Sequence, residues 1–199
     1  VVVKIGILAI QGDFELHARK ILETGNEYLL VKKATQLDEI DGIILPGGES
    51  TTITKILGRY ALDEILRERI ENGLPVFATC AGLIMLAKRF EGSEREVTPL
   101  GVLDITVRRN AYGRQRESFE APLKLTLNGN EVEITGVFIR APKIVEVGKE
   151  VQVLGNFEGS PVIVRQGNIL AMTFHPELVK GTEIYDYFLK LAKGRKQHV

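Results

Sequence analysis

One cysteine, Cys80, and three histidines, His17, His175 and His198, are the chain's candidates for covalent chemistry. A thiolate facing an imidazole is what nucleophilic acyl transfer requires, and a carboxylate behind the ring completes the set by orienting it. Cys80 lies in Ala78-Thr79-Cys80-Ala81-Gly82. Small residues are needed there, because a nucleophile on a sharp strand-to-helix turn is crowded by backbone on both sides. A helix opening directly after the cysteine favours thiolate over thiol. His198 lies in a basic stretch, and His17 is expected on the polar side of the first helix, in a solvated surface position. His175 remains, with Glu177 two residues on and Pro176 stiffening the spacing between them. A lone cysteine is as readily a buried structural residue, and a turn histidine beside a glutamate as readily incidental. Their occurrence together, with a glycine-rich loop, points to chemistry.

That loop is Pro46-Gly47-Gly48-Glu49-Ser50-Thr51-Thr52. A glycine loop opening a helix is a general anion site. This one lacks the lysine of a P-loop and the spacing of a dinucleotide fingerprint. An oxyanion-binding loop beside the cysteine suits the residues better.

The elements that must position these groups follow from the hydrophobic pattern. Residues 2–10 are nearly all apolar and β-branched, as in a strand buried on both faces. A helix follows, with Phe14, Ala18, Ile21 and Leu22 on its apolar face, Glu15, Arg19 and Lys20 pointing elsewhere, and Gly25 at its end. Residues 28–31 and 42–45 read as short buried strands joined by a helical connector at 35–40. Leu62, Ile65, Leu66 and Ile70 mark another helix, stopped by Asn72-Gly73 and Pro75. Residues 76–79 form the strand before Cys80, and Leu83, Leu86, Ala87 and Phe90 predict a helix after it.

From Leu103 the texture changes to short β-like runs at 105–107, 123–127, 132–138, 151–157, 161–164 and 169–174, an expected antiparallel extension. Ile184, Tyr187, Phe188 and Leu191 face inward from a last helix, and 193–199 is a basic tail expected to be mobile. Alternating strands and helices predict an α/β fold. Its form is a three-layer sandwich, with a mostly parallel central sheet flanked by helices. No repeat or linker divides the 199 residues, so a single domain is expected.

Lysine plus arginine, 26 residues, balance the 26 aspartates and glutamates, leaving no net charge to draw nucleic acid or an anionic membrane. No run is long enough to span a bilayer, and the first residues do not read as a signal peptide. A single cysteine excludes an intramolecular disulfide and argues against a cysteine-built metal site, which fits a cytoplasmic setting.

Together the Gly-Gly loop, the cysteine elbow and His175-Pro176-Glu177 resemble the class I, triad-type glutamine amidotransferases, a flavodoxin-like architecture. Most branches of that class carry glutamine two residues after the elbow glycine, where this chain has Ile84. In that respect it resembles the glutaminase subunits of pyridoxal 5′-phosphate synthases. So do Leu45 to Thr52, Arg109-Asn110-Ala111-Tyr112-Gly113-Arg114-Gln115, Ser118-Phe119-Glu120-Ala121 and Gly136-Val137-Phe138-Ile139-Arg140-Ala141-Pro142. Ala78 stands where many members carry glycine. The resemblance implies hydrolysis of L-glutamine to L-glutamate and ammonia by Cys80, His175 and Glu177, with the amides of Gly48 and Ala81 binding the oxyanion. It implies that Gly48, Glu49, Ser50, Arg109, Ile139 and Arg140 bind glutamine, and that the ammonia passes to a synthase subunit. An arginine and an acidic or carbonyl-rich loop suit the α-carboxylate and α-ammonium of a free amino acid. Gln11 and Gly12 would face the partner. No cofactor or metal is required. The competing readings are another thiol hydrolase or peptidase on a similar sheet, and a catalytically idle regulatory subunit.

Overall fold

The computed structural model describes residues 1–9, 14–59, 61–92, 100–113 and 116–198. Along the first half run β1 (Lys4–Leu8), α1 (Phe14–Glu23), β2 (Glu27–Val31), a 3-10 turn (Ala34–Glu39), β3 (Gly42–Leu45), α2 (Ser50–Arg59), α3 (Leu62–Glu71), β4 (Val76–Thr79), α4 (Ala81–Leu86) and β5 (Ala87–Phe90). The second half holds β6 (Leu103–Arg108), β7 (Ser118–Leu127), β8 (Asn130–Ile139), β9 (Lys143–Val147), β10 (Gln152–Phe157), β11 (Ser160–Gln166), β12 (Ile169–Met172), a second 3-10 turn (Pro176–Leu178) and α5 (Glu183–Gln197).

Among the described residues, seven strands form the central sheet in the order β10-β11-β12-β4-β3-β1-β2. The stretch from β2 to β12 is parallel, and β11 and β10 add antiparallel strands at one edge. Successive side chains of a strand point to opposite faces, and the apolar runs are divided accordingly. Ile43, Leu45, Val76, Ala78, Ile169 and Ala171 enter one core, covered by α2, α3, α4 and the small sheet β5-β6-β9. Ile44, Phe77, Leu170 and Met172 enter the other, covered by α1, α5 and the β7–β8 hairpin. Each fully buried Ile, Leu or Phe contributes about 1.5–3 kcal/mol, so a strand apolar on every position is stable only between two such layers.

The structure departs from the sequence reading in four places. The helix after Cys80 lasts only to Leu86, because Ala87 turns to φ −63°, ψ 142° and residues 87–90 pair with β6. The antiparallel extension is divided. β10 and β11 widen the main sheet, β7 and β8 form a hairpin, and β6 pairs antiparallel with β9 but parallel with β5. The basic stretch is not free either: α5 continues to Gln197, and Lys196 Nζ donates to Val2 O at 2.9 Å. Last, the buried face of α1 comprises His17, Ala18, Lys20 and Ile21, while Leu22 is exposed. No described helix is long and apolar enough to cross a membrane.

Candidate active site

Three neighbouring parallel strands, β3, β4 and β12, end side by side, with Leu45 against Ala78 and Met172 against Thr79. The residues following each of them form the site. Open parallel sheets place ligand crevices at this carboxyl edge for a geometric reason: the connections leaving the strands diverge there.

β4 delivers Cys80 with its N–H still in the sheet ladder, donating to Met172 O at 2.9 Å. One residue later α4 begins. To make that turn Cys80 takes φ 49°, ψ −105°, a conformation that costs a non-glycine residue about 1–3 kcal/mol and persists only where packing imposes it. Gly82 shows how tightly it is imposed. A Cβ there would lie 2.2 Å from the Leu45 carbonyl oxygen, so only glycine lets α4 pack directly on the end of β3.

Past β3, Gly47 adjoins both candidate reactive groups. A Cβ on it would stand 2.8 Å from His175 Cε1 and 3.8 Å from Cys80 Cβ. Past β12, His175 is tied down by its own N–H, which donates to Val137 O at 2.8 Å. Its Nδ1 lies 2.6 Å from Glu177 Oε1. The ring and Cys80 line the same cavity, with Gly47 packed against both. Burial favours the neutral imidazole. The hydrogen bond and negative charge of Glu177, with the nearby Cys80, outweigh it and push the pKa of His175 up to about 10. Burial likewise works to raise the Glu177 carboxyl, but the hydrogen bond from His175 and the charges of His17 and His175 hold it below its ordinary value. Such a site favours imidazolium beside carboxylate.

Cys80 is 9% exposed and opens on a cavity of about 460 Å³, a volume suited to a small molecule. Gly48, Glu49, Ala81, Arg109, Ile139, Arg140 and His175 line it, so the fold brings together most of the predicted site residues from both halves of the chain. Arg109 Nη2 and Glu49 Oε1 approach to 3.8 Å. Cys80 Sγ lies 3.8 Å from Ile139 O. A second cavity of about 450 Å³ adjoins the first through Asn110 and Arg140. Ser50 opens α2, but its side chain lies outside the described set, as do Gln11 and Gly12 altogether. Among the described residues no cluster of His, Cys, Asp or Glu is arranged to hold a metal ion.

His17 was misread from the sequence. It is fully buried, with Nδ1 2.8 Å from the Tyr185 hydroxyl and Nε2 3.7 Å from Glu177 Oε2. Its spacing held the signal: three residues after Phe14 and four before Ile21, it shares their helical face. Tyr185 carries the same mark, three residues before Phe188 and four before Leu189, but nothing local pairs it with His17.

Structurally the chain is a three-layer α/β protein whose candidate nucleophile stands on a strand-to-helix turn at the carboxyl edge of a parallel sheet. It belongs to the SNO glutamine amidotransferase family, which residues 7–193 match. Pyridoxal 5′-phosphate synthase subunit PdxT of Thermotoga sp. (strain RQ2) is 54% identical over 190 residues, covering 96% of this chain and 100% of that protein. The protein of the same name from Dictyoglomus turgidum is 54% identical over 187 residues, 94% of this chain and 97% of its own. A solved glutamine amidotransferase structure superposes with a TM-score of 0.88 at 45% identity, covering 95% of this chain and 98% of the other.

Proposed function

We propose that the protein is the glutaminase subunit of a pyridoxal 5′-phosphate synthase, hydrolysing L-glutamine with Cys80, His175 and Glu177 as its catalytic triad. The observation that carries this reading is that Cys80 and His175 line one cavity while Glu177 holds the far side of the His175 ring through Nδ1 at 2.6 Å. The relatives' shared name supports the synthase assignment.

In this mechanism the Cys80 thiolate attacks the side-chain carbonyl carbon of glutamine, and the oxyanion is met by the amides of Gly48 and Ala81. His175, oriented by Glu177, gives its proton to the departing nitrogen as the C–N bond breaks, leaving a γ-glutamyl thioester. Water then attacks the thioester, His175 takes the water's proton, and glutamate leaves with the thiolate restored. Arg109 and Arg140 suit the substrate's α-carboxylate. Glu49 and the Ile139 carbonyl suit its α-ammonium. Two arginines and a carboxylate around a small cavity favour a free amino acid over a peptide. The ammonia is passed to the synthase subunit, in the cytoplasm, and no metal or cofactor takes part in this step.

Cys80→Ala is expected to lower glutamine hydrolysis by more than about a thousandfold while the protein stays folded. A glutamine-mimicking electrophile should label wild-type Cys80, with the adduct found by mass spectrometry. Undiminished ammonia release from the variant would refute the assignment.

A further inference from the structure

The Glu177 carboxylate has two oxygens, and the triad uses one. Oε1 is committed to His175 at 2.6 Å. Oε2 is buried and accepts no hydrogen bond from the described residues. Behind it stands His17, whose Nε2 lies 3.7 Å away, within ion-pair reach. On its other side the ring meets the Tyr185 hydroxyl at 2.8 Å. Burial and the negative charge of Glu177 and Glu23 hold that phenol's pKa well above its ordinary value, so it stays a neutral donor. A hydroxyl proton given to Nδ1 leaves the ring proton on Nε2, toward the carboxylate.

The rings have little freedom. Tyr185 stacks on Phe77 with centroids 4.7 Å apart, and His17 presents its edge to the same Phe77 at 5.9 Å. Phe77 belongs to β4, three residues before Cys80. One turn further along α1, Lys20 Nζ donates to Val179 O at 2.6 Å and Gly181 O at 3.0 Å. Helix α1 therefore grips the segment carrying His175 and Glu177 at two points. Burying a phenol, an imidazole and a carboxylate in a row costs desolvation that an apolar core would avoid.

We propose that His17, held in place by Tyr185, is a positioning residue that fixes the Glu177 carboxylate from behind and so fixes His175 for proton transfer. The proposal rests on the triad reading given above. Among the described residues, the titratable groups facing Glu177 are His175 from its own segment, His17 from α1 and Tyr185 from α5, with Lys20 and Glu23 completing the α1 side. Loss of His17 removes positive potential from the carboxylate, so protonation of Glu177 should intrude at higher pH.

The test is steady-state glutamine hydrolysis by the full chain together with its synthase subunit, measured across pH for wild type, His17→Phe, His17→Gln and Tyr185→Phe. We expect H17F to lose about tenfold in kcat, as outer-layer partners of reacting groups do, with KM for glutamine held within about twofold. The acid limb of its kcat/KM profile should move to higher pH. Y185F should shift it the same way by less, and H17Q, whose amide can both accept and donate, should recover most of the rate. A purely packing role predicts lower thermal midpoints, an unmoved acid limb in Y185F and no advantage of H17Q over H17F; that pattern overturns the proposal. Should H17F fail to fold, Y185F and H17Q decide it by the same criteria. A wild-type complex that releases no ammonia from glutamine would instead overturn the glutaminase reading itself.

Discussion

Gly47 and His175 are packed so closely that a single methyl group on the glycine would stand 2.8 Å from the imidazole Cε1 and 3.5 Å from Nδ1. The ring cannot easily give way, since Nδ1 is bound to Glu177 at 2.6 Å and the His175 N–H to Val137 O. The loop after β3 therefore sets the position of the imidazole as well as shaping the cavity.

Gly47→Ala should accordingly impair the reaction far more than the fold. Displacement of a reacting group by about an ångström costs on the order of a hundredfold in rate. Turnover of glutamine and the urea midpoint, measured on the same preparation, will separate the two effects. A variant with full activity would mean that the loop takes another conformation when the enzyme works.

Gly82→Ala should act on the fold. Alanine is ordinarily better than glycine in a helix by about 1 kcal/mol, but here its Cβ would lie 2.2 Å from the Leu45 carbonyl oxygen and 3.0 Å from Leu45 Cβ. Overpacking against backbone costs typically about 1–3 kcal/mol and outweighs the gain in propensity. Chemical denaturation should show a net loss of stability, with activity falling too because α4 carries the turn at Cys80. Stability equal to wild type would contradict the packing described.

The acid–base pair should also make stability depend on pH. The pKa of His175 is raised from 6.5 to about 10, so its contribution is complete below pH 6.5 and is lost as the pH rises through about 10. Glu177 is lowered from 4.5; its contribution is present above that value and is lost as the pH falls. The pair therefore stabilises most between pH 4.5 and 6.5. Urea midpoints should decline on both sides of that window. Cys80→Ala should flatten the alkaline decline, since Cys80 is among the causes that raise His175. An alkaline limb unchanged in that variant would show that the sulfur does not act on the ring.

Much of the arrangement was legible in the sequence because the signals are local. The turn at Cys80 is written in Ala78, Ala81 and Gly82, and the strand before it in four successive apolar or β-branched residues that the sheet buries. His175 and Glu177 are two residues apart, a spacing short enough for a direct hydrogen bond once a turn brings them round. The alternation of strand and helix likewise specifies a layered sheet before any contact is known, since each element must bury an apolar face.

What the tertiary structure alone decided is which distant segments meet. His17 and Tyr185 are 168 residues apart and touch only because α1 and α5 cover the same face of the sheet. Residues 87–90 continue a helical pattern, yet they become β5 because β6 offers a ladder to pair with. Arg109 and Arg140 reach the cavity of Cys80 from β-rich segments whose pairing no periodicity encodes. Propensity and patterning act over a few residues, whereas register, burial and the closing of a cavity depend on the whole chain having folded. The sequence by itself therefore determined the reactive groups and the layers around them; the assembled fold decided what stands behind the carboxylate.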